Sequence, residues 1–246
     1  MNWFDRRLAA FDIETTGTDI ENDRIVTAAV SIVGGGEKTV SRNWLVNPGV
    51  PIPAEATEVH KITNQMAMRD GVPTATAVEE ITTLLAGALE EEVPVIAFNA
   101  RFDLTILDRE ARRHGVEPLV DRVGGPDGLL VVDPYVLDRH YNKFRKGRKN
   151  LTILCEAFGV PLTEAHAADA DALAAVRLAW RMASRNEELG QMELFELHES
   201  QIHWAAEQAR DLQEFFAKNG RDEHVEGAWP VVPAAAPAVF EDRLAA

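Results

Sequence analysis

Leu8-Ala9-Ala10-Phe11-Asp12-Ile13, closed by Glu14-Thr15-Thr16-Gly17, is the stretch on which the reading of this chain turns. A short apolar segment ended by a polar, glycine-bearing step has the length and punctuation of a buried strand. Alternate side chains of a strand share a face, so Asp12 and Glu14 project together at its end, with backbones roughly 6 to 7 Å apart. Two acids on one face repel. Protons or cations must neutralise them, and hard divalent metals such as Mg²⁺ prefer oxygen ligands of this kind.

Downstream of this strand, residues 25–33 and 39–46 are β-branched runs joined through Gly34-Gly35-Gly36, which makes them a hairpin. Residues 47–73 read as a proline-rich loop with a short helix near Glu55. Thr76-Ala77-Val78-Glu79 has the form of a capping box and opens a helix to about Leu89. A fourth strand over 93–98, a helix over 99–114 and a fifth strand over 129–132 follow. Asp133-Pro134 and Asn150 then read as helix starts, with longer helices over 168–185 and 191–218. A hairpin followed by strand, helix and strand predicts an α/β architecture, a mixed sheet flanked by helices. The last residues, from about 219, are rich in Gly, Pro and Ala and read as a flexible tail.

This order supplies partners for the first two acids. Asp103 opens the helix after the fourth strand, and if the first and fourth strands are parallel neighbours, their carboxyl ends meet where open α/β sheets bind ligands. His166 and Asp171 lie five positions apart. On one helix they would point about 140° apart, so they share a site only if His166 sits in the preceding loop. Each acid alone reads equally as a helix cap or a solvated loop residue. Together, carboxylates holding two metals about 3.5 to 4 Å apart stabilise the attacking and leaving oxygens of a phosphoryl displacement, and a histidine removes the proton from the attacking water. A phosphodiester hydrolase follows from that set.

Composition narrows the class. In 246 residues, 46% are hydrophobic and 26% charged, a globular balance. The single cysteine, Cys155, excludes an internal disulfide and a cysteine metal site. No apolar run approaches the roughly 20 residues of a membrane span, and residues 1–7 lack the core of a signal peptide, so a cytoplasmic location with no membrane partner is expected. The net charge of −15 argues against a nucleic-acid ligand until its distribution is read. Residues 186–246 hold 13 acidic and 4 basic residues, which leaves −6 for residues 1–185. Arg139, Lys143, Arg145, Lys146, Arg148 and Lys149 place six cations in eleven residues, a patch suited to phosphate or simply a solvated loop.

The segments Phe11-Asp12-Ile13-Glu14-Thr15-Thr16-Gly17, Asn99-Ala100-Arg101-Phe102-Asp103 and His166-x-Ala-x-x-Asp171, in that order, resemble the three motifs of the DEDDh, or DnaQ-like, 3′ to 5′ exonucleases. The segment from Val46-Asn47-Pro48-Gly49 to Val59-His60-Lys61-Ile62-Thr63 also resembles the family, except that Lys61 stands where the common pattern has glycine. The resemblance covers about residues 6–185 and implies an RNase H-like fold with a five-stranded mixed sheet. It leaves 186–218 as a C-terminal helical extension and 219–246 as an acidic, Ala/Pro-rich tail.

By matching position, the resemblance implies that Asp12, Glu14, Asp103 and Asp171 hold two Mg²⁺ or Mn²⁺ ions and that His166 is the general base. Thr15, Thr16 and His60 match positions near the terminal nucleotide, or serve as turn formers. Phe102 stacks on a base or belongs to the core, and Asn99 and Asp133 read as helix caps. Lys143, Lys146 and Lys149 are the expected phosphate contacts. With four acids as ligands of two divalent ions, the loaded site is locally positive, which answers the charge objection.

The expected activity is a metal-dependent 3′ to 5′ exonuclease preferring single-stranded DNA, and the epsilon-like spelling Asp-Ile-Glu-Thr-Thr-Gly implies proofreading or repair. The alternatives are a ribonuclease trimming RNA 3′ ends, distinguished by 2′-OH contacts, and a non-catalytic binding module on the same fold, which loss of a ligand would favour. Gln191-Met192-Glu193-Leu194-Phe195 resembles the peptide by which bacterial replication proteins dock on a sliding clamp. The same apolar residues also suit a helix packed on the nuclease domain, so a clamp or polymerase partner and helix packing both stand.

Overall fold

Residues 8–11 are buried without interruption in β1 (Arg7–Thr15), the pattern of a strand covered on both faces, and only beyond Phe11 does burial alternate. The computed structural model describes residues 2–162 and 166–234. β1 pairs antiparallel with β2 (Ile25–Gly34), which turns through Gly34, Gly35 and Gly36, all at positive φ, into antiparallel β3 (Val40–Asn47). On its other side β1 runs parallel to β5 (Val95–Ile96), and β5 parallel to β6 (Val131–Val132). The expected parallel pairing of the first and fourth strands is thus present.

A sixth strand not foreseen, β4 (Val72–Pro73), runs parallel to the end of β3 and gives the order β4-β3-β2-β1-β5-β6. Two residues carry no alternation from which a strand could be read. The stretch before it folds into α1 (Ala54–His60) and α2 (Asn64–Asp70). The next helix, α3 (Thr74–Glu90), starts two residues before the expected capping box. Pro73 occupies the cap position, and Thr74 Oγ1 donates to the Asn47 carbonyl at 3.0 Å, tying helix to sheet.

The helices α4 (Ala100–His114) and α5 (Leu119–Arg122) pack with α3 against Phe11 and Ile13, on one face of the sheet. Three further helices follow β6: α6 (Pro134–Tyr141), α7 (Leu151–Phe158) and α8 (Ala168–Arg185). Buried α7 and α8 side chains join Leu8 and Ala10 on the opposite face. Asp133 and Asn150 cap α6 and α7 as expected, accepting from Tyr135 N and Ile153 N at 2.9 Å.

The helix expected over 191–218 divides into α9 (Glu187–Gln191) and α10 (Leu194–Lys218). α10 lies along the outer edge of β6 and completes its hydrogen bonding. His198 Nδ1 accepts from Val131 N at 3.1 Å, while Gln201 donates to Val131 O and accepts from Asp133 N at 2.7 Å.

Beyond α10 the structure differs from the expected tail. Residues 221–234 run back across α10 and α4: Val225 N donates to Gln213 Oε1, and Val232 N donates to Thr105 Oγ1 at 3.0 Å. Trp229 and Val232 are buried, and Trp229 belongs to the core beneath α4. A composition rich in alanine and proline conceals these two anchors, whose apolar area offsets the entropy of ordering the segment. The remainder of the expected tail, 235–246, lies outside the described residues. Among the described residues, no helix is long and apolar enough to cross a membrane.

Candidate active site

Because side chains alternate along β1, Asp12 and Glu14 continue the face of Leu8 and Ala10, toward α8, while Ile13 joins the other layer. Asp103 is on the first turns of α4, where β5 delivers it, and its Oδ1 accepts Ile13 N at 3.1 Å, between the two β1 acids. Asp171 is in the first turn of α8 and its Oδ2 accepts His166 N at 3.1 Å. His166 occupies the turn before α8 at φ 69°, the left-handed conformation, so that two residues five apart converge. One ligand atom each from Glu14, His166 and Asp171 lie within 4.8 Å of one another.

Proximity and burial leave a mark on the acidities. Burial, then the charges of Asp103, Asp171 and Glu14, push Asp12 well above the ordinary carboxylate range. Burial, then Asp171, raises Glu14 to about 7. Burial also raises Asp103, against the bond from Ile13 N, and Asp171, against the bond and charge of His166. Four carboxyls that resist ionising together are a cluster in want of positive charge, and Asp171 Oδ1 is buried without a hydrogen-bond partner. Oxygen donors of this number and charge fit hard divalent cations.

The surrounding residues sort differently. Thr15 and Thr16 act as turn formers: Thr15 Oγ1 donates to Gly17 O and Thr16 Oγ1 to Asp23 Oδ1, each at 2.6 Å. His60 is buried. Its Nδ1 accepts Ile62 N at 3.1 Å, which assigns the proton of the neutral ring to Nε2, and burial lowers its pKa. It lines a cleft of about 280 Å³ beside Glu14 and His166, together with Asn43 and Asp169. Those two were missed. Asn43 arrives on β3, in register with Ala29 and Asp12 and with no motif around it, and Asp169 hides between the matched positions His166 and Asp171.

Lys61 adopts the conformation of the glycine it replaces, at φ 65°, and lets His60 turn inward. A left-handed residue with a Cβ costs about 1 to 2 kcal/mol, against about 0.5 to 1 kcal/mol of extra unfolded-state entropy for glycine. Lys61→Gly is therefore expected to stabilise the protein by up to about 1 kcal/mol and to raise the thermal midpoint by roughly 1 to 4 °C. A lowered midpoint in a melting experiment would show that this turn carries no strain.

Asn99 holds the cap position of α4 at φ 62°, but its side chain makes no cap bond. The cap comes from Asp133 instead, whose two oxygens accept Asn99 N and Ala100 N at 2.9 Å, and one of which also takes Trp229 Nε1 at 3.3 Å. Burial raises Asp133 to about 6 against these bonds. Asp133 thus braces the helix bearing Asp103, more than its own. Phe102 is half-buried against the core layer of α3 and α4.

The basic segment divides. Arg145 binds Asp138 with both Nε (3.2 Å) and Nη2 (2.7 Å), and Lys149 Nζ reaches the same fully buried carboxylate at 2.9 Å. Lys149 is thereby committed to the protein rather than to a phosphate, and Lys143 pairs with Asp211 at 2.9 Å on the surface. Arg139 lies over the Tyr135 ring. Among the described residues, Lys146 and Arg148 have no ionic partner. In the 191–195 stretch, Gln191 ends α9, Met192 and Glu193 form an extended step, and Leu194 and Phe195 open α10; Met192 and Leu194 pack on the α8 layer and Phe195 is exposed.

A family model described as Exonuclease matches residues 9–179. The PolC-type DNA polymerase III of Staphylococcus epidermidis is 28% identical over 189 residues, which are 77% of this chain and 12% of that polymerase. The Staphylococcus aureus protein of the same description matches at 28% over 186 residues, again 12% of its length. The chain thus spans about an eighth of these relatives. Escherichia coli exonuclease I, solved with a dT13 oligonucleotide, superposes with a TM-score of 0.63 at 21% identity, over 74% of this chain and 42% of that one. Exonuclease I of Methylocaldum szegediense gives 0.60 at 23% identity, over 85% and 45%. At such identities the likeness is one of fold.

Proposed function

Because this chain belongs to the exonuclease family, we propose that it removes nucleotides from the free 3′ end of single-stranded DNA, in proofreading or repair. The observation that carries the reading is the convergence of Glu14, His166 and Asp171 beside Asp12 and the pinned Asp103. Asp12, Glu14, Asp103 and Asp171 would hold two divalent cations, Mg²⁺ or Mn²⁺, which when bound supply Lewis-acid stabilisation to the attacking and leaving oxygens. His166, exposed and on a turn, takes the proton of the attacking water, and its main-chain N–H keeps it registered to Asp171. The cleft between His60 and Asn43 adjoins these groups and is the space for the terminal nucleotide.

The oligonucleotide bound to the E. coli exonuclease I relative in fold supports a single-stranded substrate, and the PolC similarity supports a polymerase-linked role. The half-buried Met192 and Leu194 support helix packing over clamp docking for the 191–195 stretch.

The decisive assay uses 5′-labelled single-stranded DNA, duplex DNA and RNA of one sequence, with Mg²⁺ or with a chelator. A ladder of shortened products is expected from single-stranded DNA, with loss of all products in chelator. Faster trimming of RNA would reassign the substrate, and linear fragments from a circular single strand would overturn the exonuclease reading.

A further inference from the structure

Between α6 and α7 the 142–149 loop presents Phe144 at 92% exposure, the most open of the large apolar side chains among the described residues. The loop is built to hold that position. Arg145 N donates to Asn142 O at 2.9 Å, Lys149 Nζ reaches Asn142 O at 3.2 Å, and both cationic side chains anchor on Asp138, whose carboxylate is fully buried at the core side of α6. What projects from this pinned base is an aromatic ring with Lys146 and Arg148, neither paired within the described residues. A ring held in water beside two unpaired cations offers apolar area and positive charge together to a flat, anionic partner.

The loop joins two elements tied to the proposed site. α6 begins at Asp133, which caps the helix bearing Asp103, and its eight residues span about 12 Å. α7, at the loop's other end, packs on α8, the helix of Asp171. A strand with its 3′ end among the carboxylates and its upstream part laid along α6 would reach this loop.

We propose that the loop is a docking element for the upstream part of a single strand, with Phe144 stacked on a base and Lys146 and Arg148 on the phosphates beside it. Nucleic acid is the partner that offers π-faces and regularly spaced anions together, and stacking is indifferent to sequence. The inference rests on the exonuclease reading above and assigns the loop's cations anew: Arg145 and Lys149 build it, while Lys146 and Arg148 bind.

The test compares two substrates. The p-nitrophenyl ester of thymidine 5′-monophosphate is too short to reach the loop, whereas dT16 passes over it. In Phe144→Ala, KM for dT16 is expected to rise roughly tenfold, the usual scale of a lost base stack, with ester hydrolysis reporting an intact site. Phe144→Trp should restore the dT16 value. The Lys146→Ala, Arg148→Ala double variant should lower the salt slope of dT16 binding by about one to one and a half, the counterions of two phosphates. Unchanged KM for dT16 in Phe144→Ala overturns the inference. So does Phe144-dependent sedimentation with vesicles of anionic phospholipid, or a Phe144-dependent change in oligomeric state, if dT16 binding is unaffected. Failure of the wild-type protein to hydrolyse either substrate instead removes the exonuclease reading.

Discussion

Asp12→Ala is expected to lose at least about 10³-fold in the rate of nucleotide release, while the metal-free protein becomes more stable. The two effects share one cause. Asp12 is the acid whose ionisation is opposed by Asp103, Asp171 and Glu14 together, so its removal deletes a cation ligand and the centre of a repulsive cluster. The direction of the pH dependence follows from the neighbours. Glu14 titrates near 7 in the folded protein against an ordinary 4.5, so between those values the folded state binds more protons than the unfolded one, and stability falls as pH rises. Above about 7 the Glu14 penalty is complete, and wild type carries in addition the cost of the buried, repelled Asp12, which the variant lacks. Thermal melts of the metal-free proteins should therefore diverge from pH 5 to pH 8, with the variant ahead at the upper end, and added Mn²⁺ should raise the midpoint of wild type more than that of the variant. Undiminished turnover would place the reaction elsewhere on the molecule.

His166→Ala should lower the rate by roughly 10² to 10⁴-fold, the range for a lost general base, and flatten the acidic limb of the rate profile. The substitution is well isolated. The bond to Asp171 comes from the main chain of His166 and survives, so the carboxylate keeps its place when the ring is removed. The position is open to solvent, which gives added imidazole a path to the vacant space and predicts partial recovery of rate in proportion to its concentration. A variant that keeps its acidic limb, or that imidazole does not help, would assign the proton transfer to another group.

The parts of this molecule readable from its residues are those governed by short-range periodicity. Alternation along a strand puts Asp12 and Glu14 on one face, and a 100° step per helical residue excludes His166 from α8 if it is to meet Asp171. Both constraints hold in the folded chain. Features set by partners distant in sequence were opaque. Cations at 145 and 149 look like their neighbours at 146 and 148 until Asp138 is seen to be buried beneath them. Thr76 offers a capping box, but Pro73 and the bond from Thr74 to Asn47 start the helix earlier, a tertiary preference overriding a local one. Trp229 and Val232 lie in a stretch of tail-like composition, and only the exposed surface of α4 and α10 decides that they pack.

The pairing of α10 with β6 bears on how the protein fails when it is cut or strained. β6 is the last strand on its side of the sheet, and a bare strand edge is a template for joining another chain. His198 and Gln201 take up the outward N–H and C=O groups of Val131 and the N–H of Asp133, so that a helix stands where a further strand would otherwise pair. Loss of α10, by proteolysis or by a truncation after residue 185, leaves those groups unanswered and opens a sticky edge along β6. Aggregation through that edge, rather than simple unfolding, is the natural fate of such a fragment.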